Sequence, residues 1–239
     1  MKRPISLGTV GGVEIAVGAS WLILLPVIAL GVFAGIDPGS GSLVGRVVVA
    51  GTGSVLLWAS VVAHELGHAV AARRYGIVVR RVVVFLLGGY SEIDLDAARP
   101  EQEWKVAAAG PIASGVVALV LVTVALVAPA NGGLDDMLRL LAVVNGGVAI
   151  FNSIPAFPLD GGRMLRAWLV RSGRSPVAAA RVAKGAGIAL GIGIALGGIG
   201  VSLLGSGASL VAVPVGLLVL VMATTADSAT PSLPAVEKI

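Results

Sequence analysis

The sequence predicts an all-α polytopic membrane protein with about six transmembrane helices and short cytoplasmic-side β-strands or hairpins. Three observations predict it. Of its 239 residues, 56% are hydrophobic. Only 13% are charged, about half the share of an ordinary soluble domain. Mean hydropathy is +0.98. A soluble chain of this size needs far more polar side chains to cover its surface. A cytosolic enzyme, a secreted domain and a disordered protein are therefore excluded. The 34 glycines, about twice the usual share, suit close helix packing and broken helices. With no cysteine, a disulfide framework, a thiolate metal site and a cysteine nucleophile are excluded too. The net charge of +4 reports loop topology in so apolar a chain. The expected partner is the lipid bilayer, with no nucleic acid.

The elements follow in order. Residues 5–18 are rich in β-branched side chains and punctuated by Gly8, Gly11 and Gly12, so they read as a strand or hairpin. Residues 19–36 are the first apolar span. It follows a polar, glycine-rich lead and lacks a persuasive cleavage site, so it is not a cleavable signal. Residues 47–72 are the second span. Residues 78–93, with Gly88 and Gly89, repeat the strand pattern of the lead. Residues 94–104, with Pro100, form a charged linker. Further spans run over 105–128, 138–158, 183–204 and 208–226, each near the twenty residues a bilayer needs. Residues 227–239, with Pro231 and Pro234, form a flexible C-terminal tail.

The charges orient these spans. With the N-terminus in the cytoplasm, all of the 17 basic residues except Arg46 and Arg139 fall on the cytoplasmic side. Both termini are then cytoplasmic, in a multi-pass protein of the cell membrane. Trp21, Trp104 and Trp168 fall near cytoplasmic span ends, as an aromatic belt places them, and Trp58 is packed within span two.

The chemistry starts in span two. The run His64-Glu65-Leu66-Gly67-His68 contains the only two histidines of the chain. Residues i and i+4 project from one helix face, about 40° apart, so both imidazoles can hold one metal ion. Glu65 is rotated by about 100° and flanks the metal rather than binding it, a placement that suits a general base acting on water. The bland alternative is a packed, hydrogen-bonded histidine pair. Ionisable residues inside a membrane are costly and usually functional, which favours the metal. His64 precedes Arg73 by nine residues, which puts it about 13 Å deep.

A catalytic zinc takes three protein ligands and one open position. Without cysteine or a third histidine, the third ligand is a carboxylate. Apart from Glu65, only Asp160 lies in an apolar stretch at similar depth, within Asn152-Ser-Ile-Pro155-Ala-Phe-Pro158-Leu-Asp160-Gly161-Gly162. Two prolines and two glycines break a helix there, and irregular backbone at membrane depth lines cavities or is buried in protein. An ordinary helix-ending turn is the competing explanation.

The H-E-x-x-H of span two together with the N-x-x-P…L-D-G of Asn152, Pro155, Leu159, Asp160 and Gly161 closely resembles the site-2 protease family of intramembrane zinc metalloproteases. Gly88-Gly89 and Ala109-Gly110-Pro111 are weaker echoes, and the resemblance covers roughly residues 1–170. It implies a single intramembrane metalloprotease domain over 1–226, in a minimal form without a PDZ or CBS domain. It implies one Zn²⁺ per chain on His64, His68 and Asp160, with Glu65 catalytic. Many relatives carry an Asn after the Gly-Pro of span three. Here Ile112, Ala113, Ser114 and Gly115 follow, and no role is assigned to them.

The implied activity is zinc endopeptidase cleavage within transmembrane segments of other membrane proteins, with Glu65 activating the zinc-bound water. The expected substrate is a single-span membrane protein, with a membrane-tethered transcriptional regulator as the leading case. Asn152 would hydrogen-bond the substrate backbone, or else tie helices together. The stretch Val82–Leu87 offers an edge for an extended substrate, or plugs the bilayer surface. Gly187, Gly191 and Ala195 make a face for packing or for a mobile gate. Two other classes compete: a membrane metal-ion transporter, and an inactive relative that binds membrane proteins. The near absence of polar groups in spans one, three, five and six opposes the first. The intact Glu65 opposes the second.

Overall fold

The computed structural model describes residues 4–10, 12–18, 21–85, 88–93, 99–127, 132–204 and 212–225. Among them the order is β1 (Ile5–Val10), β2 (Val13–Val17), α1 (Trp21–Ala34), α2 (Leu43–Arg74), β3 (Val79–Phe85), β4 (Gly88–Ile93), α3 (Pro100–Val127), α4 (Gly133–Asn152), α5 (Asp160–Arg171), α6 (Pro176–Leu203) and α7 (Ala212–Thr225). The chain divides into two compact units. One is Met1–Asp94 with Ala109–Phe151, the other Leu95–Ala108 with Asn152–Ile239.

In the first unit both expected hairpins form. Gly12, at φ +80°, occupies the β1–β2 turn, where a side chain would press on the Arg73 guanidinium. The hairpins join into one four-stranded sheet in the order β1-β2-β3-β4. Strands β2 and β3 pair in parallel, Glu14 opposite Arg81 through Val17 opposite Val84. A parallel pair needs a long crossover, and α1 with α2 supplies it. This corrects one expectation. Val82–Val84, the first part of the expected edge, is bonded to β2 on one side and β4 on the other, so it offers no edge to a substrate. The edges are β1 and β4. Leu86 and Leu87 lie outside the described residues.

Alternation along the strands turns Val13, Ile15 and Val82 onto Val62 and Ala69 of α2. Trp58 packs against this cluster, as expected of it. A second cluster joins Val32 and Ile36 to Ala50, Ala125, Met137, Leu138 and Leu141, and so ties α1 and α2 to the far part of α3 and to α4.

Local chemistry sets the ends of α2. The Ser42 hydroxyl accepts from the Gly45 amide at 3.1 Å, which starts the helix four residues before the expected span. Arg73 and Arg74 complement the carbonyl end. Gly76, at φ +72°, lets the amides of Gly76 and Ile77 return to the carbonyls of Arg73 and Ala72.

In the second unit, Pro100 opens α3, and the Gln102 side chain accepts from the Arg99 amide at 2.9 Å. The last part of the expected linker is therefore helical from Pro100, while residues 94–98 lie outside the described residues. Ser175 caps α6 with Pro176 in its first turn, so this helix starts seven residues before the expected span. Helices α6 and α7 meet through glycine. A Cβ on Gly191 would stand 2.7 Å from the Leu220 amide nitrogen. The packing reading of that face therefore has direct support. The proposed tail, 227–239, lies outside the described residues.

Each of the six expected spans contains a helix. Three of them, α2, α3 and α6, are long and apolar enough to cross a membrane. Helices α1 and α7 are 14 residues each, about 21 Å against a hydrocarbon core of about 30 Å. Helix α4 carries Asp135, Asp136 and Arg139 in its first turns. Much of the apolar surface points outward: Val44, Val47, Val48 and Val55 of α2 and Ile112, Val116 and Leu119 of α3 are exposed, as contact with lipid requires.

Candidate metal centre

The site begins on α2, in the first unit. His64, Glu65 and His68 are 7%, 8% and 7% exposed, in a helix whose other buried side chains are mostly small. Helical periodicity stacks the two imidazoles one turn apart. Their ring centroids are 5.0 Å apart, the planes cross at 80°, and the two Nε2 atoms face each other at 3.3 Å. Glu65 occupies the neighbouring face, as its rotation from His64 dictates.

Helix α3 closes over this pair. The His64 Nδ1 lies 2.9 Å from the Ser114 hydroxyl, and Ser114 is 1% exposed. With Nδ1–H donating to that hydroxyl, the Nε2 of His64 carries its lone pair toward His68. The approach depends on two glycines. A Cβ on Gly67 would stand 2.7 Å from the Ala109 carbonyl oxygen. A Cβ on Gly110 would stand 2.7 Å from the His64 Nε2 and closer still to the His68 ring. Only glycine leaves the space in front of both Nε2 atoms open. The Ala109-Gly110-Pro111 echo thereby acquires a physical reason.

Sequence reasoning missed Ser114. The available signal is its spacing: it follows Gly110 by four residues, so both lie on one face of α3.

The second unit holds the other two expected residues. Asn152 ends α4 and Asp160 opens α5, with Leu159 in extended conformation before it. Both are partly buried. The loop between them folds back on its own unit. The Phe157 amide donates to the Ala183 carbonyl of α6 at 3.0 Å, and Ala156 and Leu159 are buried. Gly161 and Gly162 then explain the L-D-G-G run. A Cβ on Gly161 would overlap the Ile154 carbonyl, and one on Gly162 would come within 2.5 Å of the Phe157 amide nitrogen. The start of α5 is fixed further along by Arg166. Its Nε and Nη2 donate to one oxygen of the buried Glu103 carboxylate at 2.9 and 2.6 Å. The structure thus gathers His64, Glu65 and His68 in one unit and places Asn152 and Asp160 in the other.

The residues fit zinc. Two buried imidazoles turn Nε2 donors toward one point, one ring is held by a hydrogen bond on its far nitrogen, and a glycine keeps that point clear.

Comparison with known proteins agrees. The sequence model of peptidase family M50 matches residues 52–131 and 128–196. The Synechocystis protein sll0528, named as a zinc metalloprotease, is 33% identical over 211 residues, covering 84% of this chain and 54% of its own. Rip3 of Mycobacterium tuberculosis, similarly named, is 35% identical over 209 residues, covering 80% and 52%. The chain thus spans about half the length of these two relatives. The solved structure of the site-2 protease from Methanocaldococcus jannaschii superposes with a TM-score of 0.64 at 26% identity, covering 99% of this chain and 100% of that one. The chain belongs to peptidase family M50, the site-2 proteases.

Proposed function

We propose that this chain is an intramembrane zinc endopeptidase that hydrolyses peptide bonds within transmembrane segments of other membrane proteins. The observation that carries the reading is the buried pair of facing imidazoles on a helix apolar and long enough to cross a membrane. Asp160 supplies the third ligand. Its support is the chemistry of the donor set, since the chain has no cysteine and no further histidine. The family match, which spans both α2 and α5, supports it as well. One zinc per chain follows from one such set.

Bound there, zinc supplies a Lewis acid that acidifies water and polarises a carbonyl. The chain's own groups do the rest. Glu65 takes a proton from the attacking water at a carboxylate oxygen and returns it to the leaving amine. His64 and Ser114 keep one imidazole in a single tautomer. Asn152 hydrogen-bonds the substrate backbone through its amide. A transmembrane helix hides its peptide bonds in its own hydrogen bonds, so the substrate unwinds locally before cleavage.

The chain is multi-pass with both termini cytoplasmic, a reading supported by the one-sided placement of its basic residues. Its substrate is a single-span membrane protein, with a membrane-tethered transcriptional regulator as the leading case. The test uses purified full chain. It should hold about one zinc and cut a single-span peptide. Glu65→Gln should keep the zinc and lose the cutting, and Asp160→Asn should weaken zinc binding itself. Cleavage that survives Glu65→Gln would falsify the mechanism, and zinc flux into liposomes without cleavage would favour a transporter.

A further inference from the structure

A second candidate site lies wholly within the second unit. In the second unit, an open cleft of about 440 Å³ lies between the first turns of α3 and the end of α5. Trp104 and Trp168 line it, 43% and 58% exposed. So much bare indole is typical of side chains that sit at a membrane interface, apolar on one side and wet on the other. Lys105 and Arg171 line the same cleft.

Both cations are exposed, and ion pairs made by such exposed side chains are weak. The acid in the lining is Glu101, and its pair with Arg171 is long, 3.7 Å, with side chains 68% and 61% exposed. Such a pair is worth little and gives way to a better anion. Glu103 does not compete, because it is buried and committed to Arg166. Among the described residues of this unit, the acids are Glu101, Glu103 and Asp160, and the bases outnumber them.

We propose that this cleft binds the headgroup of an anionic phospholipid. The phosphate lies between Lys105 and Arg171, and the glycerol and first acyl carbons lie on the two indoles. The occupant follows from both halves of the lining. A free phosphate ion would fill a small part of the volume and leave the indoles bare. A zwitterionic headgroup would bring its own cation against Lys105 and Arg171. On the topology proposed above, with the basic residues on the cytoplasmic side, the cleft lies at that surface, where anionic headgroups are within reach. A lipid seated there would clamp the start of α3 to α5, the helix that Asp160 opens.

The test is native mass spectrometry of the full chain in detergent micelles, with phosphatidylglycerol or phosphatidylcholine added. The chain should retain one phosphatidylglycerol at least about tenfold better than phosphatidylcholine. Each cation is worth about fivefold near a membrane surface, so Lys105→Gln with Arg171→Gln should cut phosphatidylglycerol retention roughly thirtyfold. Both side chains are exposed, so the fold should survive, and unchanged helicity by circular dichroism checks that. Glu101→Gln should raise retention by removing the competing carboxylate. Equal retention of the two lipids, or a preference that outlasts the double substitution, overturns the proposal. Displacement of the lipid by inorganic phosphate alone, or binding of an acidic peptide with no lipid preference, overturns it as well. None of these readouts depends on proteolysis.

Discussion

His64 and Ser114 meet across two helices, ring nitrogen to hydroxyl at 2.9 Å, with the serine 1% exposed. A buried imidazole N–H without an acceptor loses about 1–3 kcal/mol, so the pairing holds the ring in one orientation. It makes Ser114 a positioning residue for the proposed metal ligand.

Ser114→Ala should therefore lower zinc affinity by roughly ten- to a hundredfold, the usual effect of losing a partner behind a ligand. Competition with a chelating dye measures it. Unchanged affinity would reduce Ser114 to a packing residue.

Gly110→Ala drives a methyl group into the space before both Nε2 atoms. Zinc content by elemental analysis should fall to background. Gly67→Ala strikes the Ala109 carbonyl instead, backbone that cannot swing away. Its main effect should be a lower thermal unfolding midpoint, from forcing α2 and α3 apart. Full zinc loading of the Gly110 variant would contradict this geometry.

The Glu103–Arg166 pair should behave as a buried ion pair. Glu103→Ala strands a guanidinium on a 24%-exposed side chain, at a cost of about 1.5–3 kcal/mol. Glu103→Leu combined with Arg166→Met should recover most of that, because it removes both charges together. Thermal unfolding of Glu103→Leu, Arg166→Met and the double variant completes the cycle. Additive losses would mean that the pair carries no coupling.

Gly161→Ala places a methyl group on the Ile154 carbonyl and pushes the 153–159 loop off the start of α5. If Asp160 is a ligand, zinc affinity should drop with it. Gly173→Ala, at an exposed turn with open space around it, is the control. It meets strain at φ +93° and no neighbour, so it should cost about 1 kcal/mol of stability and leave zinc affinity alone.

Much of the fold was legible because its signals are local. Apolar runs of about twenty residues, β-branched stretches and glycine turns need no partner to be recognised. They placed helices at all six expected spans, and hairpins at 5–18 and 78–93. Helix α5 escaped because Arg163, Arg166 and Arg171 break up its linear apolar run, and Gly161 and Gly162 open it. Those glycines serve a backbone contact that no local window contains.

The sequence by itself determined the membrane class, the order of the helices and the imidazole pair, since spacing of four on a helix fixes a shared face whatever surrounds it. Tertiary structure decided what meets that face. It paired β2 with β3 in parallel and so moved the sheet's free edges to β1 and β4. It chose Ser114, among the small residues of α3, to stand behind His64, and it gave Gly110 its reason to be glycine. Such partners are set by where distant segments cross. A serine in an apolar helix looks the same in sequence whether or not an imidazole lies 2.9 Å away.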